Sequence, residues 1–305
     1  MKELFAHILY AENADASGME VVFVEDIPGL RVRLPITGTE ASVNRAAAEE
    51  QLRRALDALA ERQIEIALLP DGLTADMHGI AEARAADVLP FLLPRALHKA
   101  LQAIGKHPAR AEIALFCENT ASAERVLIEL SLQASFVTLV GDAAALEAMQ
   151  PAAGRVFRNT GLQAVMTENA ATALARAEAV LHTAPPSKHY THHYRKDCVR
   201  IDLSGCRAMT AALLARRGDM LAADGLYASL GKTTFLPDAL ALVLYGKSPA
   251  FAQLARRDAD ADADAVRAEL QRLRVTVVAF AQAGRALSVA GLMRRAAAMQ
   301  GYAES

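Results

Sequence analysis

Between residues 112 and 203 one pattern repeats: a short apolar run, a stretch with helical spacing, then another apolar run. Glu112–Cys117, Phe136–Gly141, Leu162–Thr167, Ala179–Thr183 and Cys198–Leu203 read as strands, with Ala121–Gln133, Ala143–Met149 and Ala170–Ala177 as helices between them. The strands are nearly continuous in apolar residues, so both of their faces must be covered. Parallel strands need long crossovers, and helices supply them. The pattern therefore predicts α/β architecture with a doubly wound parallel sheet.

The flanks differ. Val21–Val24 and Leu30–Leu34 are apolar stretches separated by the turn signal Ile27-Pro28-Gly29. From Ser42 to Arg62, Val43, Ala46, Leu52, Leu56 and Leu59 fall on one helical face. Ile64–Leu69 and Asp87–Leu93 are expected strands around a short helix near Gly79–Ala85, followed by a helix from Arg95 that stops at Gly105. After Thr233 the spacing predicts a helical tail: Pro237–Leu244, Phe251–Ala255, Ala263–Gln282 and Val289–Met299. The acidic run Asp258–Asp264 reads as a solvated linker entering a helix. The expected division is an N-terminal α/β lobe over 1–106, the central sheet over 107–232, and a helical segment over 233–305.

At 305 residues the chain has room for two lobes, and 53% hydrophobic content supplies their cores. A net charge of −2 gives no field for nucleic acid or an anionic membrane. Trp is absent, which removes one base-stacking platform. Cys117, Cys198 and Cys206 cannot all pair and form no Cys-x-x-Cys unit, as expected of reduced thiols. Neither a signal peptide nor an apolar span reads from the chain, so a cytoplasmic protein is expected. A small-molecule ligand or a protein partner fits this composition, and self-association is left open.

In a Rossmann-type domain the turn after the first strand is glycine-rich, so that backbone can approach a pyrophosphate at a helix N-terminus. Here that turn runs from Phe116 to Glu124 without a glycine, and Cys117, Asn119, Thr120 and Ser122 hold the positions that would line the phosphates. Glu118 adds a like charge, at a cost on the order of a few kcal/mol. No cofactor is therefore expected, with NAD(P) as the alternative. Asp142, after the second strand, stands where an acid meets a ribose, although its preferred reading is the cap of the helix that follows. His189, His192 and His193 follow His182 in a segment beyond a strand's C-terminal end. They suit a solvated ligand-side loop; contact with an anion is the alternative, and no metal is expected because a third ligand is wanting.

Gly284-Arg285-Ala286-Leu287-Ser288-Val289, the ending Ala296–Tyr302, the stretch Asp219–Gly225 and the helix Leu236–Gly246 carry a resemblance. They look like the long-chain acyl-ACP reductases and their shikimate-dehydrogenase-like relatives with NAD(P)-binding Rossmann domains. The resemblance implies an N-terminal lobe, a central NAD(P) domain, a helical tail, and a catalytic cysteine opening a Cys-x-Ala-Glu helix. The matching stretch here is Phe235-Leu236-Pro237-Asp238, and Leu92-Leu93-Pro94 stands at the family's Gly-Asn turn. Phenylalanine forms no acyl intermediate. The expectation is a non-catalytic or re-purposed homologue binding a ligand or partner between lobes; the alternative is an oxidoreductase with an atypical cofactor turn.

Overall fold

The computed structural model describes residues 3–13, 16–70, 73, 77, 79–185, 192–204, 206–257 and 261–303. It opens with β1 (Phe5–Ala11), β2 (Gly18–Val24), β3 (Ile27–Thr37), α1 (Gly38–Val43), α2 (Arg45–Glu61), β4 (Ile66–Leu68), β5 (Ala81–Glu82) and α3 (Ala85–Ala103). The middle is β6 (Glu112–Phe116), α4 (Thr120–Leu130), β7 (Phe136–Val140), α5 (Ala143–Thr160), β8 (Val165–Thr167), α6 (Ala170–Arg176), β9 (Ala179–His182), β10 (Val199–Asp202), α7 (Arg207–Arg216) and β11 (Leu221–Ala223). The remainder is β12 (Gly225–Leu230), β13 (Thr233–Phe235), α8 (Pro237–Lys247), α9 (Pro249–Arg256), α10 (Ala263–Arg272), β14 (Thr276–Gln282), β15 (Arg285–Ser288) and α11 (Val289–Ala303). Among the described residues no helix is long and apolar enough to cross a membrane.

Two compact units partition the chain: Met1–Val88 with Leu230–Val275, and Leu89–Ser229 with Thr276–Ser305. This differs from the three consecutive segments expected at 106 and 232. The chain passes between units inside α3 and again around β12 and β14, so neighbours in sequence are not neighbours in the core.

The first unit carries the sheet order β2-β3-β1-β4-β5. β1 pairs parallel with β3 and β4, and β2 lies antiparallel on the edge. Ala48, Leu52, Ala55, Leu56 and Leu59 of α2 pack against Ile8, Leu30, Val32 and Leu34 of the sheet. Each fully buried leucine contributes roughly 1.5–3 kcal/mol relative to exposure.

The second unit carries the six-stranded parallel order β11-β10-β9-β6-β7-β8. All four residues of β9 are buried, as a central strand covered on both faces requires. α5 runs past Pro151 to Thr160 and stops at Gly161, whose φ of 77° lies where only glycine sits without strain. β12, β14 and β15 pair antiparallel, and α11 follows.

Three expected elements are corrected. Asp87–Leu93 is not a strand but the opening of α3. The buried positions Val88, Leu89, Leu92, Leu93, Ala96 and Leu97 recur at helical spacing, which a short apolar window cannot reveal. Gly79–Ala85 holds the short strand β5, paired with β4, in place of a helix. The tail is not uniformly helical: α10 ends at Arg272, Arg274 takes a positive φ of 55°, and Thr276-Val277-Val278 enters β14. β-branched residues stiff at χ1 prefer the strand.

Candidate functional site

In the second unit, β6 leads by way of α4 to β7 on one side, and β9 leads to β10 on the other. The direction in which strands are added therefore reverses between β6 and β9, and the connections that leave these two strands run to opposite sides of the sheet. The register puts Val140, Phe116, His182 and Asp202 in one row across the last residues of β7, β6, β9 and β10.

The turn after β6 is built on side chains where glycines were expected. Cys117 is buried, and its N–H donates to Val140 O at 2.9 Å. Burial, with Glu118 nearby, pushes its thiol up to about 12, so the sulfur is inert and points into the core. Asn119 is the N-cap of α4 and accepts from the Ser122 N–H at 3.0 Å. Thr183 fastens this turn to the end of β9: its hydroxyl donates to Phe116 O at 3.0 Å and accepts from the Asn119 N–H at 3.4 Å. Thr120 begins the helix half-buried.

Glu118 does not behave as expected either. Its side chain is only 19% exposed although the residue as a whole lies in the exposed class, so the backbone faces solvent and the carboxylate is tucked in. Oε1 lies 3.0 Å from Nδ1 of His182, which is wholly buried and stacks on Phe116 at 4.4 Å between ring centroids. Nε2 of His182 lies 3.2 Å from the Tyr194 hydroxyl. Burial lowers the imidazole below its ordinary value, against the opposing pull of Glu118, so the ring is neutral. Tyr194 is pushed up to about 12 by burial and stays protonated. The consistent arrangement is Nδ1–H donating to Glu118 and the tyrosine O–H donating to Nε2.

Beside this chain, Arg200 donates to Asp202 at 2.7 Å and to Thr210 at 3.1 Å, with Arg200 and Asp202 both out of solvent. Asp202 also accepts from the Ser204 N–H at 2.9 Å and from its hydroxyl. None of these four residues was singled out from sequence. The signal was present in β10, where two charges alternate with Val199 and Ile201 in a strand that must be buried.

Asp142 caps α5, accepting from the Ala145 N–H at 2.8 Å through one oxygen. The residue is exposed, two positions beyond the end of β7. His189 lies outside the described residues; His192 and His193 are exposed in a turn. In the first unit, Phe235 is buried at the end of β13, and Asp238 accepts from the Ala85 N–H at 2.5 Å, capping α3. That carboxylate has a structural role. A groove of ≈ 240 Å³ lined by Phe136, Thr138, Val165, Thr172 and Arg176 runs along the sheet face, and no residue of the turn after β6 lines it.

Chemically, the turn offers exposed backbone, the first N–H groups of α4, and an acid one strand away. His182 is fully buried with both nitrogens engaged, so it is no general base for a substrate.

No protein-family model matches the chain, and no curated protein matches it in sequence. Solved structures are similar to it in fold alone. Quinate dehydrogenase from Corynebacterium glutamicum, in complex with NAD, is 12% identical over 88% of this chain and 99% of its own, with a TM-score of 0.39. The 5-ketofructose reductase of a Gluconobacter strain, ligand-free, is 11% identical over 98% and 99%, with a TM-score of 0.37. A D-isomer specific 2-hydroxyacid dehydrogenase from Lactobacillus delbrueckii, in its NAD-complexed form, is 12% identical over 52% of this chain, with a TM-score of 0.32. The match spans 57% of that enzyme's length. The expectation that no cofactor belongs here is corrected by these neighbours, two of which hold NAD.

Proposed function

We propose that the second unit binds a nicotinamide dinucleotide along the C-terminal edge of its parallel sheet, and that the protein is an NAD(P)-dependent oxidoreductase with a glycine-free cofactor turn. The observation that carries this reading is the strand order β8-β7-β6-β9-β10-β11, which reverses between β6 and β9. Diverging loops at such a reversal open a crevice that takes a dinucleotide.

The residues present fit the group. The N–H groups of Thr120 and Ala121 open the first turn of α4, where helix geometry leaves donors without intrahelical partners and favours a phosphate. The exposed carboxylate of Asp142, which caps α5 through Oδ1, suits a ribose hydroxyl. When bound, the nicotinamide ring supplies the hydride chemistry; the chain's own contribution here is to seat and orient it. Titration calorimetry with NAD⁺, NADH, NADP⁺ and NADPH tests the reading. A micromolar constant for one redox pair is expected, and millimolar or weaker binding of all four overturns it.

A second reading, binding without turnover, is favoured by one observation: buried Phe235 stands where the resemblance places the acyl-bearing cysteine. It predicts that acyl thioester plus reduced nicotinamide yields no aldehyde. Aldehyde release would overturn this second reading, because it requires turnover through a thiolate nucleophile.

A further inference from the structure

Glu118 sits in the turn that would face a pyrophosphate, where a carboxylate free to swing repels the ligand. It is not free. Its oxygen meets His182 Nδ1 at 3.0 Å, and His182 stacks on Phe116. Phe116 belongs to the cluster that contains Ala170, Ala173 and Leu174 of α6, Leu213 of α7, and Tyr194. No residue of α4 belongs to that cluster. Right-handed crossovers running in opposite directions from the middle of a sheet put their helices on opposite faces, so α4 lies across the sheet from α7. The carboxylate is thus drawn to the α6 and α7 face, while the N-terminus of α4 opens on the strand ends.

We propose that His182 is the positioning residue that makes the glycine-free turn compatible with a dinucleotide, by holding the Glu118 carboxylate away from the donors of α4. This rests on the nucleotide reading above. Three features of the surroundings support it. Thr183, the next residue, fixes the turn to β9 through Phe116 O and the Asn119 N–H, so His182 and Glu118 cannot drift apart. Tyr194 occupies the second imidazole nitrogen, which fixes the tautomer that donates from Nδ1. Tyr194 in turn lies against Arg200, which is anchored to Asp202 and Thr210. The hold on Glu118 is therefore braced through three strands, as a group that must stay put beside an anion requires.

The test compares two probes: ADP-ribose, which carries the pyrophosphate, and adenosine, which does not. Calorimetry is run on wild type, Glu118→Gln, His182→Leu, His182→Gln and the double variant His182→Leu with Glu118→Gln. If the charge is already held away, Glu118→Gln changes ADP-ribose affinity by less than about threefold. His182→Leu frees the carboxylate and weakens ADP-ribose by about tenfold or more, while adenosine changes by less than about threefold. The double variant restores ADP-ribose binding, and His182→Gln, whose amide still donates, keeps it. A purely structural role for His182 would weaken both probes alike and would not be rescued by Glu118→Gln. Tightening of ADP-ribose by about tenfold in Glu118→Gln alone overturns the proposal, and this arm stands even if His182→Leu does not fold. Wild type and Glu118→Gln that bind neither probe overturn the nucleotide reading itself. Adenosine binding with unchanged ADP-ribose affinity in His182→Leu overturns only the role of His182.

Discussion

Asp202 accepts a 2.7 Å hydrogen bond from Arg200, two residues earlier on the same strand, and neither side chain reaches solvent. Such a pair is held together by mutual neutralisation more than by net gain. Arg200→Met is expected to cost about 3–5 kcal/mol, because it leaves Asp202 buried and uncompensated. Replacing both, with Asp202→Leu added, should cost less than Arg200→Met alone. Urea denaturation of the two variants decides it; a double variant that is the less stable of the two refutes the account.

His182 makes stability depend on pH. Burial lowers its pKa from the ordinary 6.5, so the unfolded chain takes up the proton first as pH falls. The stabilisation is full above 6.5 and is lost as pH drops through the lowered folded value. The groups facing the ring are Glu118, Tyr194, Arg200 and Asp202. Wild-type Tm should therefore fall more steeply between neutral pH and mild acid than that of His182→Gln. Parallel Tm curves would remove His182 from the acid response.

Gly29 pairs with Phe5 across β1 and β3, and a Cβ built there would lie 2.4 Å from the Phe5 ring. A buried ring cannot retreat as a flexible side-chain tip can. Gly29→Ala should cost about 1–3 kcal/mol by overpacking, and adding Phe5→Leu should recover part of that. Thermal unfolding of the single and double variants is the measurement, and no recovery would argue against the ring as the obstacle.

Asp142 is predicted to do two jobs that one substitution separates. Asp142→Asn keeps a cap oxygen for the Ala145 N–H and removes the charge from the ribose side. Its stability should change by only a few tenths of a kcal/mol, asparagine and aspartate being comparable N-caps. NAD⁺ binding should weaken by about tenfold, since a hydrogen bond to a charged group contributes about 1.5–3 kcal/mol. Calorimetry showing unchanged NAD⁺ affinity would restrict Asp142 to capping.

The central alternation was readable because β6, β9 and β10 are almost wholly buried, and burial writes itself as apolar runs. One helix start was readable for a local reason: Asp142, read as a cap, accepts from the first turn of the helix that follows. Local windows misled where two structures share one composition. The apolar run at Asp87–Leu93 looks like a strand until its spacing is followed to Leu97, and the run after Arg272 looks helical until Thr276-Val277-Val278 is weighed.

The sequence by itself determined the kind of sheet, the place of the turn after β6, and the absence of glycine from that turn. Only the tertiary structure decided what Glu118 does there. His182 lies 64 residues away, and its nearness to Glu118 comes from the pairing of β6 with β9. A charge read from sequence has a sign and no direction. Its direction is set by the partner that folding brings within hydrogen-bond reach, and no spacing along the chain encodes that distance.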